Sequence, residues 1–513
     1  FSIGIPYFIL STTAPLVQHW YSLTTGVEPY RLYAISNIGS FLALGLYPVF
    51  IEPFFPLGLQ SRLWSILFLV VAILCTTIAW FVHRSHPHNE AVHAVAHNIA
   101  WKMRLWWVFL SALPAAILVA TTTELTQTLV SVPFLWIIPL SLYLLSFVLA
   151  FRGWGLSGWV AAMAFVSVTL AFMNQGSGVY DITSQLVFDA LFLFFISLYC
   201  HGLLYQSRPG TFQSSLFYLY TSLGGMLGTL VVTLLAPVIF NKIWEFALAI
   251  GIAATTITLT YPAEKYVREE YHSSLRSIRI VIVSILCILS GTYYSHNTDA
   301  GYLTSRNFYG VVKITDLDGI RYLYHGGTLH GMQYLDDERR FLPIPYYGAS
   351  SGIGRAFTYA RATNKGPLRV AVIGLGTGSI AAHCKPGDTF VFYEIDPRIE
   401  KIAHTYFSYL AYCPGSEVRI GDGRVRLDRE SREGSRPYDI IAVDAFSDDT
   451  IPTHLLTQQA FELYARSITD AGIIAIHTSN RYLDLGPVAA RIGEAAGYSS
   501  KNINGGSGVE LTE

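Results

Sequence analysis

Apolar residues run in long blocks through the first three hundred positions of this chain and in short ones afterwards. A helix needs about 20 mainly apolar residues to cross a bilayer. Blocks approaching that length lie at about 2–17, 31–51, 62–83, 105–121, 132–151, 156–174, 185–206, 213–239, 243–261 and 279–295. The pattern predicts a transmembrane helical domain of about ten spans over 1–295. Trp20, Trp64, Trp101, Trp106, Trp154 and Trp244 stand near block ends, as an interfacial belt would have them.

Beyond residue 300 the period shortens. Runs at 311–314, 321–324 and 331–335, separated by Asp-Gly and Gly-Gly, predict a small antiparallel β subdomain over 300–345. Over 346–513, strand-like runs ending at 373, 394, 420, 443 and 477 alternate with helix-like ones, including 453–469. That alternation predicts a parallel sheet with covering helices, a Rossmann-like α/β domain. The apolar start at Phe1 and the glycine-rich close at 505–508 read as a chain cut at both ends, its sheet short of strands.

Composition sharpens the division. Only 13% of the 513 residues are charged, against about 25% in ordinary soluble domains, and the shortfall lies ahead of residue 300. A net charge of −1 excludes the basic face that a nucleic-acid partner requires. Cys75, Cys200, Cys287, Cys384 and Cys413 show no metal-ligand spacing and are silent on redox compartment. The cluster His83, His86, His88, His93 and His97 reads as a solvated loop, so no metal is predicted. Gln18, His19, Asn37, Glu124, Gln127, Asp189 and His201 lie in or beside apolar blocks. They read first as hydrogen-bonding groups between helices, and second as a substrate or ion path, with Glu124 its best candidate. Gly224, Gly225 and Gly228 suggest close helix packing.

The chemistry lies at the predicted strand ends. One apolar run closes in Gly374-x-Gly376-x-Gly378, a helix-like segment follows, and a second run closes in Glu394 and Asp396. The glycines let a ligand approach the backbone, and the acid can accept hydrogen bonds from ribose hydroxyls. Asp422, between Gly421 and Gly423, and Asp444 fall at further strand ends. Asp422 can accept from an adenine amino group, and Asp444 can hold or deprotonate an amine or stabilise a cation. So acidic a rim repels a pyrophosphate and favours a positively charged sulfonium nucleoside. Each acid alone also reads as a cap or turn residue.

These residues resemble the spermidine synthase (polyamine aminopropyltransferase) family over about 300–500, and more closely bacterial membrane proteins in which a multi-span domain is fused to such a head. The resemblance rests on His330-Gly331-x-Gln333, Val372-Ile373-Gly374-x-Gly376-x-Gly378, Glu394-Ile395-Asp396, Gly421-Asp422-Gly423 and Tyr438-Asp439-Ile440-Ile441-x-Val443-Asp444, with 32–40 and Cys200-His201-Gly202 in the membrane part. It implies S-adenosylmethionine or its decarboxylated form as substrate, with no metal. Glu394 would lie on the ribose, Asp422 near adenine and Gln333 near the sulfonium, while Asp444 would activate an amine. Tyr347 and Asp448 stand where acceptor-side motifs are expected. The amine would attack the carbon beside the sulfonium and release methylthioadenosine.

Two departures matter. Thr377 occupies the glycine loop where relatives carry an acid, and Pro345-Tyr346-Tyr347-Gly348 replaces their tyrosine-histidine-glutamate motif. Intact S-adenosylmethionine is therefore admitted as donor, with a lyase or a methyltransferase on the same fold as alternatives. A transporter, or a non-catalytic subunit of a membrane complex, is the alternative from another class. Expected partners are the lipid bilayer, a small amine or lipidic acceptor, and further subunits. The expected site is a bacterial inner membrane. Counting Lys and Arg across ten crossings puts the head outside, but a cytosolic donor favours a cytoplasmic head, which is the placement expected here.

Overall fold

The computed structural model describes residues 4–85, 99–126, 135–174, 182–261, 278, 302–446, 451–480 and 484–503, apart from 28, 156, 211–212 and 345. Contacts divide the chain into a helical unit, Phe1–Leu125 with Pro133–Thr298, and a mixed α/β unit, Asp299–Glu513 with Thr126–Val132.

In the helical unit the first nine apolar blocks are helices: α1 (Gly4–Thr25), α2 (Tyr30–Leu46), α3 (Leu57–Ser85), α4 (Trp101–Glu124), α5 (Ile137–Phe151), α6 (Gly158–Asn174), α7 (Ile182–Gln206), α8 (Ser214–Leu230) and α9 (Trp244–Thr260). The block at 279–295, the histidines at 86, 88, 93 and 97, and Gln127 lie outside the described residues. Among the described residues, five helical passes (Leu32–Phe54, Leu57–Arg84, Trp101–Glu124, Thr183–Gln206 and Ser214–Ile239) are long and apolar enough to cross a membrane, whereas α5, α6 and α9 are shorter. The passes beginning with α2 and α8 widen into π turns at Tyr47–Ile51 and Val231–Leu235. Pro48 and Pro237 account for this, because a proline inside a helix lacks the N–H and crowds the carbonyl four residues back.

Glycines set the closest helix contacts. A Cβ on Gly224 would overlap Ser111 and the Val108 carbonyl of α4, and one on Gly228 would overlap the Ala112 carbonyl. Gly225, between them, has nothing within 4 Å. Gly202 of α7 meets the Gly155 backbone in the same way. Buried polar groups pair between helices: Asn174 Nδ2 donates to Asp189 at 3.4 Å, and Ser146 and His201 Nδ1 lie 2.9 Å apart. The His201 ring stacks on Phe147 with centroids 3.5 Å apart. These pairings are those of the interhelical hydrogen-bonding reading.

In the mixed unit, β1 (Leu303–Asn307), β2 (Gly310–Leu317), β3 (Ile320–His325) and β4 (Thr328–Tyr334) form an antiparallel meander in chain order. The sequence pattern missed β1, since Leu-Thr-Ser-Arg-Asn has no apolar alternation, and the strand sits half-buried at the sheet edge.

Then come α10 (Gly352–Thr363), β5 (Arg369–Ile373), β6 (Thr389–Glu394), α11 (Pro397–Tyr406), β7 (Ser416–Ile420), α12 (Gly423–Arg432), β8 (Tyr438–Val443), α13 (Gln458–Ser467), β9 (Ile468–Ile476) and α14 (Gly486–Ala495). The strands form one parallel sheet in the order β7-β6-β5-β8-β9. Its apolar residues alternate with the strand period. Val370, Val372, Phe390, Phe392, Ile440 and Ala442 pack with α10 and α11, while Ala371, Ile373, Val391, Tyr393, Ile441 and Val443 pack with α12 and α13. Both faces are covered, so the strands read as continuous apolar runs.

One expectation is corrected. No α-helix follows the glycine loop: a five-residue 3-10 turn, Ser379–His383, stands there. Pro386 cannot extend a helix, and Gly387 takes a φ of +90°, so the chain turns directly into β6. Cys384 and Cys413, on whose pairing the sequence reading is silent, form a disulfide across a separation of 29 residues.

Gly224→Ala and Gly228→Ala are expected to destabilise the detergent-solubilised protein by about 1–3 kcal/mol through overpacking, lowering its melting midpoint, while Gly225→Ala leaves the midpoint unchanged. Equal midpoints for all three would show that α4 and α8 do not approach through these glycines.

Candidate functional site

Strand order reverses between β5 and β8, and a parallel sheet opens its ligand crevice at the carboxyl end of such a switch point. A cleft of about 750 Å³ lies there, lined by Gly374, Gly376, Glu394, Asp422, Asp444 and Tyr347 among others. That volume is ordinary for a small-molecule site. Gly374 has a φ of +103°, and a Cβ on it would overlap the Asp444 carbonyl. Gly376, at φ +53°, lies against the His330 carbonyl. Gly378 packs on Leu410 behind the loop and is not part of the cleft lining.

Glu394 ends β6 and is held from both sides by backbone. Leu375 N–H donates to Oε2 at 3.1 Å and Asp396 N–H to Oε1 at 2.9 Å. Burial, partly offset by these hydrogen bonds, pushes the carboxyl up to about 7. Asp396 is committed elsewhere: it caps α11, accepts from Asn307 at 2.8 Å and pairs with Arg398 at 2.8 Å, tying the meander to the sheet. Asp422 caps α12 through Val425 N–H at 3.0 Å and offers its other oxygen to His454 Nε2 at 3.1 Å. Cap and cleft wall are therefore one residue.

Asp444, just past β8, stands between two ring side chains. Tyr347 Oη–H donates to Oδ2 at 2.8 Å, and His477 Nδ1 lies 2.7 Å from Oδ1. Burial, with the Asp444 charge beside it, raises the Tyr347 phenol well above its ordinary value, so it remains a donor. Tyr346 and Phe446 flank the His477 ring at centroid distances of 5.8 and 4.7 Å.

The structure thus brings Gly374, Gly376, Glu394, Asp422, Asp444 and Tyr347 to one cleft. Gln333 is not part of its lining. It is buried behind the wall, donating to the Arg340 carbonyl and accepting from Ser408 N–H, each at 3.1 Å. Thr377 is also buried, packed beneath Gly331 and beside Ser379. Asp448 lies outside the described residues. Sequence reasoning missed His330, His454 and His477 as cleft residues. For His477 the signal was present, since it is the first residue beyond β9 and strand ends had located the acids. Nothing in the sequence marked His454, which sits in a 3-10 turn. Among the described residues, no group of three or more His, Cys, Asp or Glu side chains is placed to hold a metal.

One end of this cleft can accept hydrogen bonds from a diol through a fixed carboxylate. The other can stabilise a cation or take a proton.

No family model matches the chain. Over 131 residues it is 34% identical to the polyamine aminopropyltransferase of Vibrio vulnificus (strain CMCP6), covering 24% of this chain and 43% of that protein. Over 202 residues it is 24% identical to a probable polyamine aminopropyl transferase of Bifidobacterium longum (strain NCC 2705), covering 39% and 42%. The chain thus spans less than half the length of either curated relative. Similar solved structures include a SAM-dependent methyltransferase from Agrobacterium tumefaciens (15% identity, 36% of this chain and 58% of that one, TM-score 0.23). Another is a putative SAM-dependent methyltransferase from Streptococcus mutans (12% identity, 43% and 58%, TM-score 0.26). What the comparisons establish is a partial sequence similarity to polyamine aminopropyltransferases.

Proposed function

We propose that this chain is a membrane-integrated transferase. Its head binds S-adenosylmethionine or the decarboxylated analogue and passes the aminopropyl-side carbon to an amine, releasing methylthioadenosine. The observation that carries the reading is Glu394 and Asp444 facing one cleft from the two sides of the sheet's switch point. A ribose on Glu394 extends its sulfur toward Asp444, whose charge favours a sulfonium and an incoming ammonium. The similarity to polyamine aminopropyltransferases supports the same chemistry. Thr377 offers the donor's free amine no carboxylate, so intact S-adenosylmethionine stands beside the decarboxylated form as donor.

Exposed apolar surface supports membrane integration. Leu67, Leu69, Ile73 and Leu74 of α3 each expose more than half of their surface. Such a helix is at home in lipid or against another subunit, not in water. For the face on which the head lies, the Cys384–Cys413 disulfide favours the exterior, because such bonds persist mainly in oxidising compartments. The cytosolic donor favours the interior. Trypsin digestion of sealed right-side-out vesicles separates them: head peptides released from intact vesicles place it outside, and release only after lysis places it inside.

Incubating the detergent-solubilised chain with either donor, with and without a diamine, is expected to yield methylthioadenosine in an amine-dependent way by mass spectrometry. Amine-independent methylthioadenosine would make it a lyase, and S-adenosylhomocysteine a methyltransferase. Neither product would remove the proposal in favour of a sensor or assembly subunit.

Because ribose hydroxyls donate to the ionised carboxylate, methylthioadenosine affinity should weaken as pH falls through about 7, where Glu394 takes up its proton. The limiting slope is about tenfold per pH unit. Glu394→Gln should flatten that dependence and cost roughly 10–100-fold in affinity at pH 8, the worth of a charged hydrogen bond. Calorimetric titration giving the same slope in wild type and variant would take Glu394 off the ribose.

A further inference from the structure

The phenol that meets Asp444 belongs to Tyr347, which lies in the loop between β4 and α10. A loop residue can aim a side chain only as well as its backbone is held. The backbone contact here comes from His383, whose Nε2 lies 2.6 Å from the Tyr347 carbonyl. A carbonyl only accepts, so this nitrogen carries the hydrogen. Burial lowers the His383 pKa, partly offset by the Tyr347 carbonyl, and the ring stays neutral. It stacks on the buried Phe357 of α10, with centroids 4.7 Å apart. His383 closes the 3-10 turn that begins after Gly378, and its neighbour Cys384 is fixed by the disulfide to Cys413. At the start of the same stretch, Gly374 rests on the Asp444 carbonyl. Residues 374–383 thus grip Asp444 twice, through backbone at Gly374 and through His383 and Tyr347 at the carboxylate.

We propose that His383 is a positioning residue for the transfer step, setting Tyr347 on Asp444 from behind the cleft wall. The inference rests on the amine-transfer reading above. Asp444 has to present its charge to an ammonium in a fixed direction, yet the last torsion of an aspartate is soft. Tyr347 Oη–H holds Oδ2 against that rotation, and the phenol is only as fixed as the loop that carries it. His383 anchors that loop to a ring already locked by Phe357 and by the turn it closes. The turn continues from the glycine loop, so the donor loop and the acid on the amine side are set by one piece of chain. Glu394 is held by other groups, the N–H of Leu375 and of Asp396. Removing the His383 contact should therefore disturb the amine side of the cleft and leave the ribose side as it was.

The test uses the full chain in detergent. His383→Ala should lower kcat roughly 10–100-fold, the worth of one hydrogen bond to a charged group. Its methylthioadenosine affinity should stay within about twofold of wild type, which separates positioning from binding and reports that the head is folded. Tyr347→Phe should lower kcat by a similar factor. The double variant should fall no further than either single one, because the two residues act in series. His383→Gln, whose amide N–H reaches the same carbonyl, should recover most of the loss. A double variant that falls by the product of the two single effects overturns the proposal, since His383 would then act apart from Tyr347. A His383→Ala enzyme with wild-type kcat overturns it too, as does an equal loss of kcat and methylthioadenosine affinity in both His383 variants.

A second arm needs no turnover. Tetranitromethane nitrates tyrosines through the phenolate, and burial beside the Asp444 charge raises the Tyr347 phenol well above its ordinary value, so wild-type Tyr347 should resist it. Tyr346, 44% exposed and on the same tryptic peptide, is the internal reference. In His383→Ala, nitration of Tyr347 relative to Tyr346 should rise severalfold, as read by peptide mass spectrometry, and in His383→Gln it should stay near the wild-type ratio. An unchanged ratio in His383→Ala overturns the proposal. If wild type forms no methylthioadenosine from either donor, the transferase reading fails by itself, and the nitration ratio still decides whether His383 holds Tyr347 on Asp444.

Discussion

Gly374 rests against the carbonyl of Asp444 with no room for a side chain between them, and the cleft depends on that approach. β5 and β8 pair in parallel register up to Ile373 and Val443, so their next residues leave the sheet side by side. Gly374 N–H still donates to the Tyr393 carbonyl of β6, and Asp444 N–H to the Ile373 carbonyl, which carries sheet hydrogen bonding one residue past the strands. The loop that follows can then only turn away over the sheet edge. It brings Leu375 N–H onto Glu394 and leaves the side chain of Asp444 pointing into the opening. A larger residue at 374 would push β8 outward and separate the two acids.

The helical unit solves a different problem with the same residue type. There, small residues let helix backbones approach closely and polar groups pair between helices. Gly224 and Gly228 sit one turn apart on α8 and admit the α4 backbone, while Gly225 faces away from that contact. Asp189 and His201 look like the makings of a path when read along the chain. In the bundle, each is buried and shares hydrogen bonds with a neighbouring helix, through Asn174 and Ser146.

Much of this was legible because parallel sheets obey a simple rule. Apolar runs mark the strands, and the first polar residue beyond each run faces the ligand edge, which is how Glu394, Asp422 and Asp444 came to light. The rule applied equally to His477, but the run at 472–477 absorbed it as a final strand residue. Gln333 was assigned from a motif and not from a strand end, and a motif does not reveal which side of a wall a side chain occupies. The segment after Gly378 reads as helix-like in the sequence, while Pro386, three residues beyond the 3-10 turn, decides otherwise. The disulfide had no local signature, since its cysteines meet only through the packing of the 3-10 turn on residues 409–412.

That disulfide divides the cleft in a way the hydrogen bonds do not. The covalent ring from Cys384 to Cys413 encloses β6 and α11, and with them Glu394 and Asp396. Asp444, Tyr347 and His477 lie outside it. In the chain-entropy account, closing a ring of this size removes about 3–4 kcal/mol worth of disorder from the unfolded ensemble. The constraint falls on the segment that carries Glu394 and Asp396, which stays closed on itself even when the sheet opens, whereas Gly374, Gly376 and Asp422 lie outside the ring. Among the described residues, the Asp444 side of the cleft has no such tether and is held by non-covalent contacts. Under partial denaturation, the Asp444 side of the cleft should therefore come apart before the segment that carries Glu394 does.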